Sequence, residues 1–264
     1  MRDAITDYIQ FLEDVFQSYR PIESLLVDAL RRARATRIVD LCSGGGGPWK
    51  SLGRYLEKTF DKSPSVVLTD LYPNDDSFEF LKNWKCAHLS YSPRSVDVTR
   101  VPADLTGFRT LFTSFHHFQP ETARAILKDA VFQGQGIGIF EITNRSVITM
   151  LLEIPAQLAI FFLAPSLRPF RWSRLVFTYL IPIIPLVLLN DALVSCLRTY
   201  TTKELRDLVL SLGETKFTWR IGAVKTPNVP MKVTYLIGLP ATVAPAQDAT
   251  PTSLGIPNEI MMDD

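Results

Sequence analysis

Cysteine is scarce in this chain: Cys42, Cys86 and Cys196 are odd in number, far apart and in no C-x-x-C spacing. Neither a disulfide framework nor a thiolate zinc site is suggested, and a reducing cytoplasm fits best. An excess of either charge is missing too. With 28 Lys+Arg against 27 Asp+Glu the formal net charge is +1, so there is no global steering towards nucleic acid. Long apolar runs are also absent. The two longest, Ile154 to Pro165 and Leu175 to Leu189, fall short of the about 20 residues a bilayer-spanning helix needs, and Pro182 and Pro185 interrupt the second. No transmembrane segment is expected. Asp3, Asp7, Glu13 and Asp14 break up the N-terminal apolar residues, so this segment lacks the core of a signal peptide and is expected to belong to the fold. Of the three histidines, His116 and His117 are adjacent and point apart, with no third ligand spaced to join them, so no metal is expected.

What is present begins with size: 264 residues, 47% hydrophobic, enough for one large core with an insertion. Amphipathic spacing over Ile5, Tyr8, Ile9, Leu12, Val15, Phe16 and Tyr19 predicts a helix facing a core or a pocket mouth, and a second helix follows from about Pro21. Together residues 1–35 are expected to cover the site. Strands are predicted at Arg37 to Asp40, Ser65 to Asp70, more weakly Ser95 to Val98, from Arg109 on, and at Gly136 to Ile142. Helices fall between them, one of them a short pattern at Asn74 to Trp84. This alternation argues a doubly wound α/β sheet, mostly parallel, over a core of residues 36–145. Residues 146–200 break the rhythm as an apolar helical lid or membrane-facing insertion. Residues 201–240 close the sheet, with a helix capped at Thr201 and Glu204 and an antiparallel pair at the edge, for seven strands in all. The Ala/Pro/Thr/Ser-rich tail, 241–264, is expected to be disordered.

The stretch Arg37-Ile38-Val39-Asp40-Leu41-Cys42-Ser43-Gly44-Gly45-Gly46-Gly47-Pro48-Trp49 lies between the first strand and the next helix. Glycines there let main-chain N–H groups approach a small molecule closely. A P-loop would need a glycine before Lys50-Ser51, and Trp49 stands there instead. The dinucleotide fingerprint would need a third glycine at that same position. A nucleoside ligand without phosphates remains.

At these residues the chain resembles the class I S-adenosylmethionine (SAM)-dependent methyltransferases, whose first motif is an apolar strand, an acid and Gly-x-Gly-x-Gly. Val39-Asp40-Leu41-Cys42-Ser43-Gly44-Gly45-Gly46 matches with Cys42 in the first glycine slot. The resemblance implies SAM as cofactor. Asp40 and the backbone of Ser43, Gly44, Gly45 and Gly46 would hold the methionine end, Asp70 the ribose hydroxyls, and Asp97 with Val98 the adenine. It also implies methyl transfer, and the apolar insertion points to a hydrophobic small-molecule or lipid-like acceptor. An alternative reading is a SAM-binding protein that uses the sulfonium as an electrostatic cofactor for isomerisation or cyclisation. Nucleic-acid methylation is a weaker third reading, because the Asn-Pro-Pro-aromatic type of exit is replaced by Ser114-Phe115-His116-His117.

In such a fold ligands sit beyond the carboxyl ends of the strands. His116 and His117 are therefore candidates for a general base, against a purely structural capping role. Asp191, Ser195 and Arg198, at i, i+4 and i+7, would share one helix face, either touching the acceptor or seating the lid. Asp191 joins the histidines as a catalytic candidate, and Tyr19, Phe115, Glu141, Ser195 and Arg198 are expected to line the acceptor. Phe170 and Trp172, with Arg168, Arg171 and Arg174, offer a second version of the insertion: a peripheral membrane contact over residues 166–174 with cations meeting anionic headgroups.

Overall fold

The computed structural model describes residues 2–73, 88–167, 170–226, 231–241 and 260–263. The short helical pattern expected at Asn74 to Trp84, Cys86, Arg168 and residues 242–259 lie outside them. Helix α1 (Arg2–Phe16) leads through a single 3₁₀ turn (Arg20–Ile22) into α2 (Glu23–Arg32) and strand β1 (Arg37–Asp40). The chain continues through α3 (Trp49–Thr59), β2 (Ser65–Asp70), β3 (Leu89–Ser95), β4 (Phe108–Phe112), α4 (Pro120–Phe132) and β5 (Ile137–Glu141). The insertion is helical: α5 (Val147–Leu158), α6 (Ile160–Leu163), α7 (Trp172–Leu175) running into a π-helical turn (Val176–Leu180), and α8 (Ile183–Arg198). Helix α9 (Thr202–Leu210), β6 (Phe217–Lys225), β7 (Lys232–Pro240) and β8 (Ile260–Asp263) complete it.

The strands form one mixed sheet in the order β3-β2-β1-β4-β5-β7-β6-β8. β1 to β5 pair in parallel, and β7 runs antiparallel to both β5 and β6. Short continuous apolar runs suit these central strands because both faces are covered, and every residue of β4 and β5 is buried. The sheet differs from expectation at two places. The third strand is Leu89–Ser95, so Val96, Asp97 and Val98 lie in the loop beyond it. An eighth strand, from a tail whose composition suggested none, pairs in parallel with β6 from Trp219–Ile260 to Gly222–Asp263.

One face packs α2 and α3 through Leu26, Leu30, Trp49, Leu52 and Leu56, and the other packs α4 and α9 through Ile126, Leu127, Leu205 and Leu208. Arg109 faces inward from β4, fully buried, and reaches Asp129 on α4 at 2.8 Å. Gly238 on β7 leaves room for the Trp219 ring; a Cβ there would lie 2.3 Å from it. A third, smaller core joins α1 to the insertion through Tyr8, Ile160, Ala164, Leu167, Ile184 and Leu188. Tyr8 Oη also donates to the Ala156 carbonyl. Half of the apolar stripe of α1 does not find a partner of this kind: Ile9, Val15 and Phe16 remain exposed.

Candidate functional site

The chain passes from β1 outward through β2 and β3, then returns to the other side of β1 as β4, so the sheet order reverses between β1 and β4. In an open parallel sheet that reversal leaves a crevice beyond the carboxyl ends of the two strands. Asp40 closes β1 there, buried, with its Oδ1 accepting from Thr110 Oγ1 on β4 at 2.6 Å. The Trp49 indole N–H points towards the same carboxylate without completing a full hydrogen bond. Burial pushes the Asp40 carboxyl up to about 7, against the pull of its hydrogen bonds with Ser43 and Thr110.

After Asp40 the backbone coils through the left-handed region at Cys42, Gly44, Gly46 and Gly47 (φ 57°, 51°, 100° and 50°). Gly44 and Gly47 open onto free space on the side where a Cβ would project. Ser43 pins this turn to its neighbours: its hydroxyl donates to Asp40 O at 2.9 Å and accepts from Thr69 N at 3.2 Å, and its N–H donates to Thr69 O. The N–H groups of Ser43, Gly44 and Gly46 are thus already bonded within the protein, to Thr69 O, Asp70 Oδ2 and Ser43 O. This corrects the expectation that the backbone from Ser43 to Gly46 is offered as a whole to a ligand. The hydroxyl of Ser43 builds the turn.

Asp70 ends β2 with its carboxylate turned onto the glycine turn. Oδ2 accepts from Gly44 N at 3.0 Å and Oδ1 from Tyr72 N at 2.9 Å, which fixes the group while leaving further lone pairs for hydroxyl donors. Asp97 is exposed and folded into a local turn, Oδ1 accepting from Thr99 N and Oγ1 at 2.8 and 2.7 Å. Val98 is buried in the core on the α4 face, so it offers no ring-packing surface, and its expected role is corrected. The three acids nevertheless converge. The Cys42 thiol is pushed up to about 12 by burial first and then by Asp70, Asp40 and Asp97 in that order.

The next exit along the sheet carries the second half of the site. Thr113, just past β4, is a β-branched residue at φ 40°, a conformation held by surrounding structure and found where backbone strain serves a site. Tyr19 and Thr113 share a hydrogen bond through their hydroxyls. From Thr113 the chain turns into one 3₁₀ turn, Phe115–His117, whose opening is capped from β5. Glu141 Oε1 accepts from Ser114 N at 3.1 Å and Phe115 N at 2.7 Å, and Oε2 lies 2.6 Å from His116 Nδ1. The other ring nitrogen of His116, Nε2, is buried with no protein partner. A buried carboxylate on one ring nitrogen and an unpartnered second nitrogen is the arrangement of an oriented general base.

Glu141 is therefore not an acceptor-lining residue as expected; both its oxygens position the His116 turn. Phe115 is corrected likewise, being fully buried against the Tyr200 ring at 5.4 Å. Tyr19 is buried, its ring edge-on to Phe112 at 5.1 Å. Burial raises its phenol above the usual value, with Glu13, Glu141 and Asp40 adding to the effect.

Helix α8 closes the far side. His117 is partly exposed, its ring centroid 4.2 Å from that of His116, and partial burial of its imidazole, followed by the neighbouring His116 ring, lowers it below the usual histidine value. Asp191 and Arg198 act on it in opposite directions, so both lie near it, while Ser195 is buried against the domain. The Ser195 carbonyl accepts from Thr199 Oγ1 at 2.8 Å, and Thr199 pairs with Thr143 past β5 at 2.6 Å, seating the end of the insertion. Two contributors escaped the sequence reading. Thr110 carries no motif, and Glu13, lifted to about 7 by burial, lies in α1 among ordinary surface acids. Among the described residues no group of three or more His, Cys, Asp or Glu is placed to hold a metal ion.

No family model matches the chain, and no curated protein matches it by sequence. Solved structures do resemble it. The methyltransferase domain of bacterial CtHen1 is 14% identical with a TM-score of 0.48, over 83% of this chain and 98% of that one. PigF with SAH is 16% identical with a TM-score of 0.48, over 89% of this chain and 59% of the other. Human N-acetylserotonin methyltransferase in complex with SAM is 12% identical with a TM-score of 0.46, over 89% and 56%. The chain spans a little over half the length of the last two, and the likeness is one of fold.

Proposed function

We propose that the protein is a SAM-dependent methyltransferase acting on a hydrophobic small-molecule or lipid-like acceptor. One observation supports the reading: an acid-and-glycine turn at the sheet reversal stands one strand away from a buried His116–Glu141 pair whose Nε2 has no protein hydrogen-bond partner. The cradle fits a nucleoside with a cationic tail. Gly44 and Gly47 leave space beside the turn, Asp70 offers a fixed carboxylate for a cis-diol, and Asp40 offers a buried acid to a positive group. When bound, the cofactor supplies a methyl group on sulfur that carries a positive charge.

The protein's task is alignment, exclusion of water and removal of one proton. His116 Nε2 would take the proton that an acceptor oxygen or nitrogen gives up on methylation. Glu141 holds the imidazole in the tautomer that can take it, and stabilises the imidazolium that results. The apolar insertion supports a hydrophobic acceptor, with Asp191 and Arg198 beside His117 at its polar end.

Incubation with SAM labelled in its methyl group tests the reading: label should appear in a solvent-extractable product in step with loss of SAM. Turnover that leaves SAM intact would overturn transfer in favour of an electrostatic cofactor. Calorimetry with Asp70→Ala tests the cradle. Loss of about 1.5–3 kcal/mol per charged hydrogen bond is expected in SAM affinity, and unchanged affinity removes Asp70 from the site.

A further inference from the structure

The insertion leaves far more apolar surface uncovered than a lid requires. Val147, Leu151, Phe162, Trp172, Leu180 and Leu186, drawn from each of its segments, are between 61% and 85% exposed. The α7–π segment, Trp172–Leu180, and α8 meet at an 80° bend, and the tip of that bend, Leu180-Ile181-Pro182, is exposed and uncharged. No single described helix is long and apolar enough to cross a membrane.

The polar groups of this region are turned inward. From Leu175 to Leu189 the only polar side chains are Thr178 and Tyr179. Thr178 is fully buried with no hydrogen-bond partner for its hydroxyl, and the half-exposed Tyr179 donates from Oη to Phe161 O at 2.6 Å. Ser166 Oγ donates back to Leu163 O at 2.9 Å. Arg174, fully buried, donates to Ala164 O, Leu167 O and Asp7 at 3.1, 2.6 and 3.0 Å, and Arg171 Nε reaches Asp7 at 3.1 Å. Two of the three arginines expected to meet anionic headgroups, Arg171 and Arg174, are thereby engaged with the protein's own acid, and Arg168 lies outside the described residues.

A protein partner would need something to hydrogen-bond, since interfaces carry about one hydrogen bond per 100–200 Å². Among the described residues from Leu175 to Leu189 this surface offers only Tyr179, whose hydroxyl is already bonded to Phe161 O. Polar groups withdrawn beneath exposed apolar side chains suit contact with hydrocarbon, and Trp172 beside Phe170, ring centroids 5.3 Å apart, suits the boundary between chains and headgroups.

We propose that the insertion docks the protein onto one leaflet of a lipid bilayer, with the bend at Leu180-Ile181-Pro182 entering the acyl region and apolar burial, not charge, holding it there. An acceptor dissolved in the leaflet would then meet α8, the helix that sets Asp191 and Arg198 beside His117; that consequence rests on the proposed methyl transfer, whereas docking is read without SAM.

Flotation of the full chain on vesicles of phosphatidylcholine alone, and of phosphatidylcholine with phosphatidylglycerol, tests it. Binding to both, undiminished by high salt, is expected, together with quenching of tryptophan fluorescence by brominated acyl chains that Trp172→Phe reduces. Leu180→Asp and Ile181→Asp, at exposed positions, should each lower the bound fraction by roughly tenfold or more with melting temperature and SAM affinity unchanged. If those variants fail to fold, brominated-lipid quenching of the unaltered chain decides alone. A chain that stays unbound with both vesicles, or binds only anionic ones and is released by salt, overturns the proposal. So does a dimer that Leu180→Asp splits while flotation is unaffected, which would make this face a contact between copies.

Discussion

Asp40 is the residue whose surroundings do most to set the behaviour of the site. Its carboxyl is lifted from an ordinary 3.8 to about 7. Between those two pH values the folded state keeps a proton that the unfolded chain has lost. Asp40 therefore costs stability progressively as pH rises through that window, and the cost levels off above about 7. A cation bound beside it favours the ionised form, so SAM affinity should climb from about pH 6 to about pH 8 and then flatten. Calorimetry across that range checks it: Asp40→Asn should bind more weakly at every pH and show no such climb. His116 gives the second prediction. His116→Gln should lower kcat by about a hundredfold to ten-thousandfold while SAM affinity is kept, because only proton removal is lost. An unchanged kcat would leave the His116–Glu141 pair a structural cap. The acids Asp40 and Asp70 could be picked out beforehand because each ends a buried apolar strand, a local signal. Glu141 ends a strand too, but its partner His116 lies 25 residues back, and no spacing along the chain announces that the two meet.

At the scale of elements, α9 was the most readable. Its start obeys a rule written within four residues: Thr201 Oγ1 accepts from Glu204 N at 3.2 Å while Glu204 Oε2 accepts from Thr201 N at 2.8 Å. Thr201→Ala should cost about 0.5–2 kcal/mol, seen in a thermal melt as about 2–4 °C per kcal/mol for a chain of this size. Arg145, which also holds Glu204 at 2.9 Å, couples that cap to the root of the insertion. The third strand was least readable. Leu89–Ser95 alternates weakly and contains Pro93, tolerated because β3 pairs only with β2 and lies at the sheet's end. The apolar and acidic segment that follows it looked more strand-like and is loop, since Asp97 folds onto Thr99. Composition misled at β8 for the opposite reason: Ile260–Asp263 is four residues long and gains its order from the β6 edge, not from its own sequence.

For the whole molecule, β8 makes a prediction of its own. It covers the outer edge of β6, and an uncovered edge strand is a template for association. A chain ending at residue 259 should aggregate faster on heating, measured by light scattering, with SAM affinity unchanged because the crevice lies on the far side of β4. The sequence by itself determined the α/β alternation, the glycine turn that admits neither P-loop nor dinucleotide phosphates, and the strand-end acids Asp40 and Asp70. Each of these follows from backbone sterics or periodicity acting over a few neighbouring residues. Only the tertiary structure decided that Ser43 is spent on the turn, that Glu141 orients His116 instead of lining a cavity, and that Asp7 withdraws Arg171 and Arg174 from the surface of the insertion. Those outcomes depend on which groups a buried charge or donor can reach across 25 to 167 positions of chain, and that is settled by packing, where an unpaired polar group costs too much to leave alone.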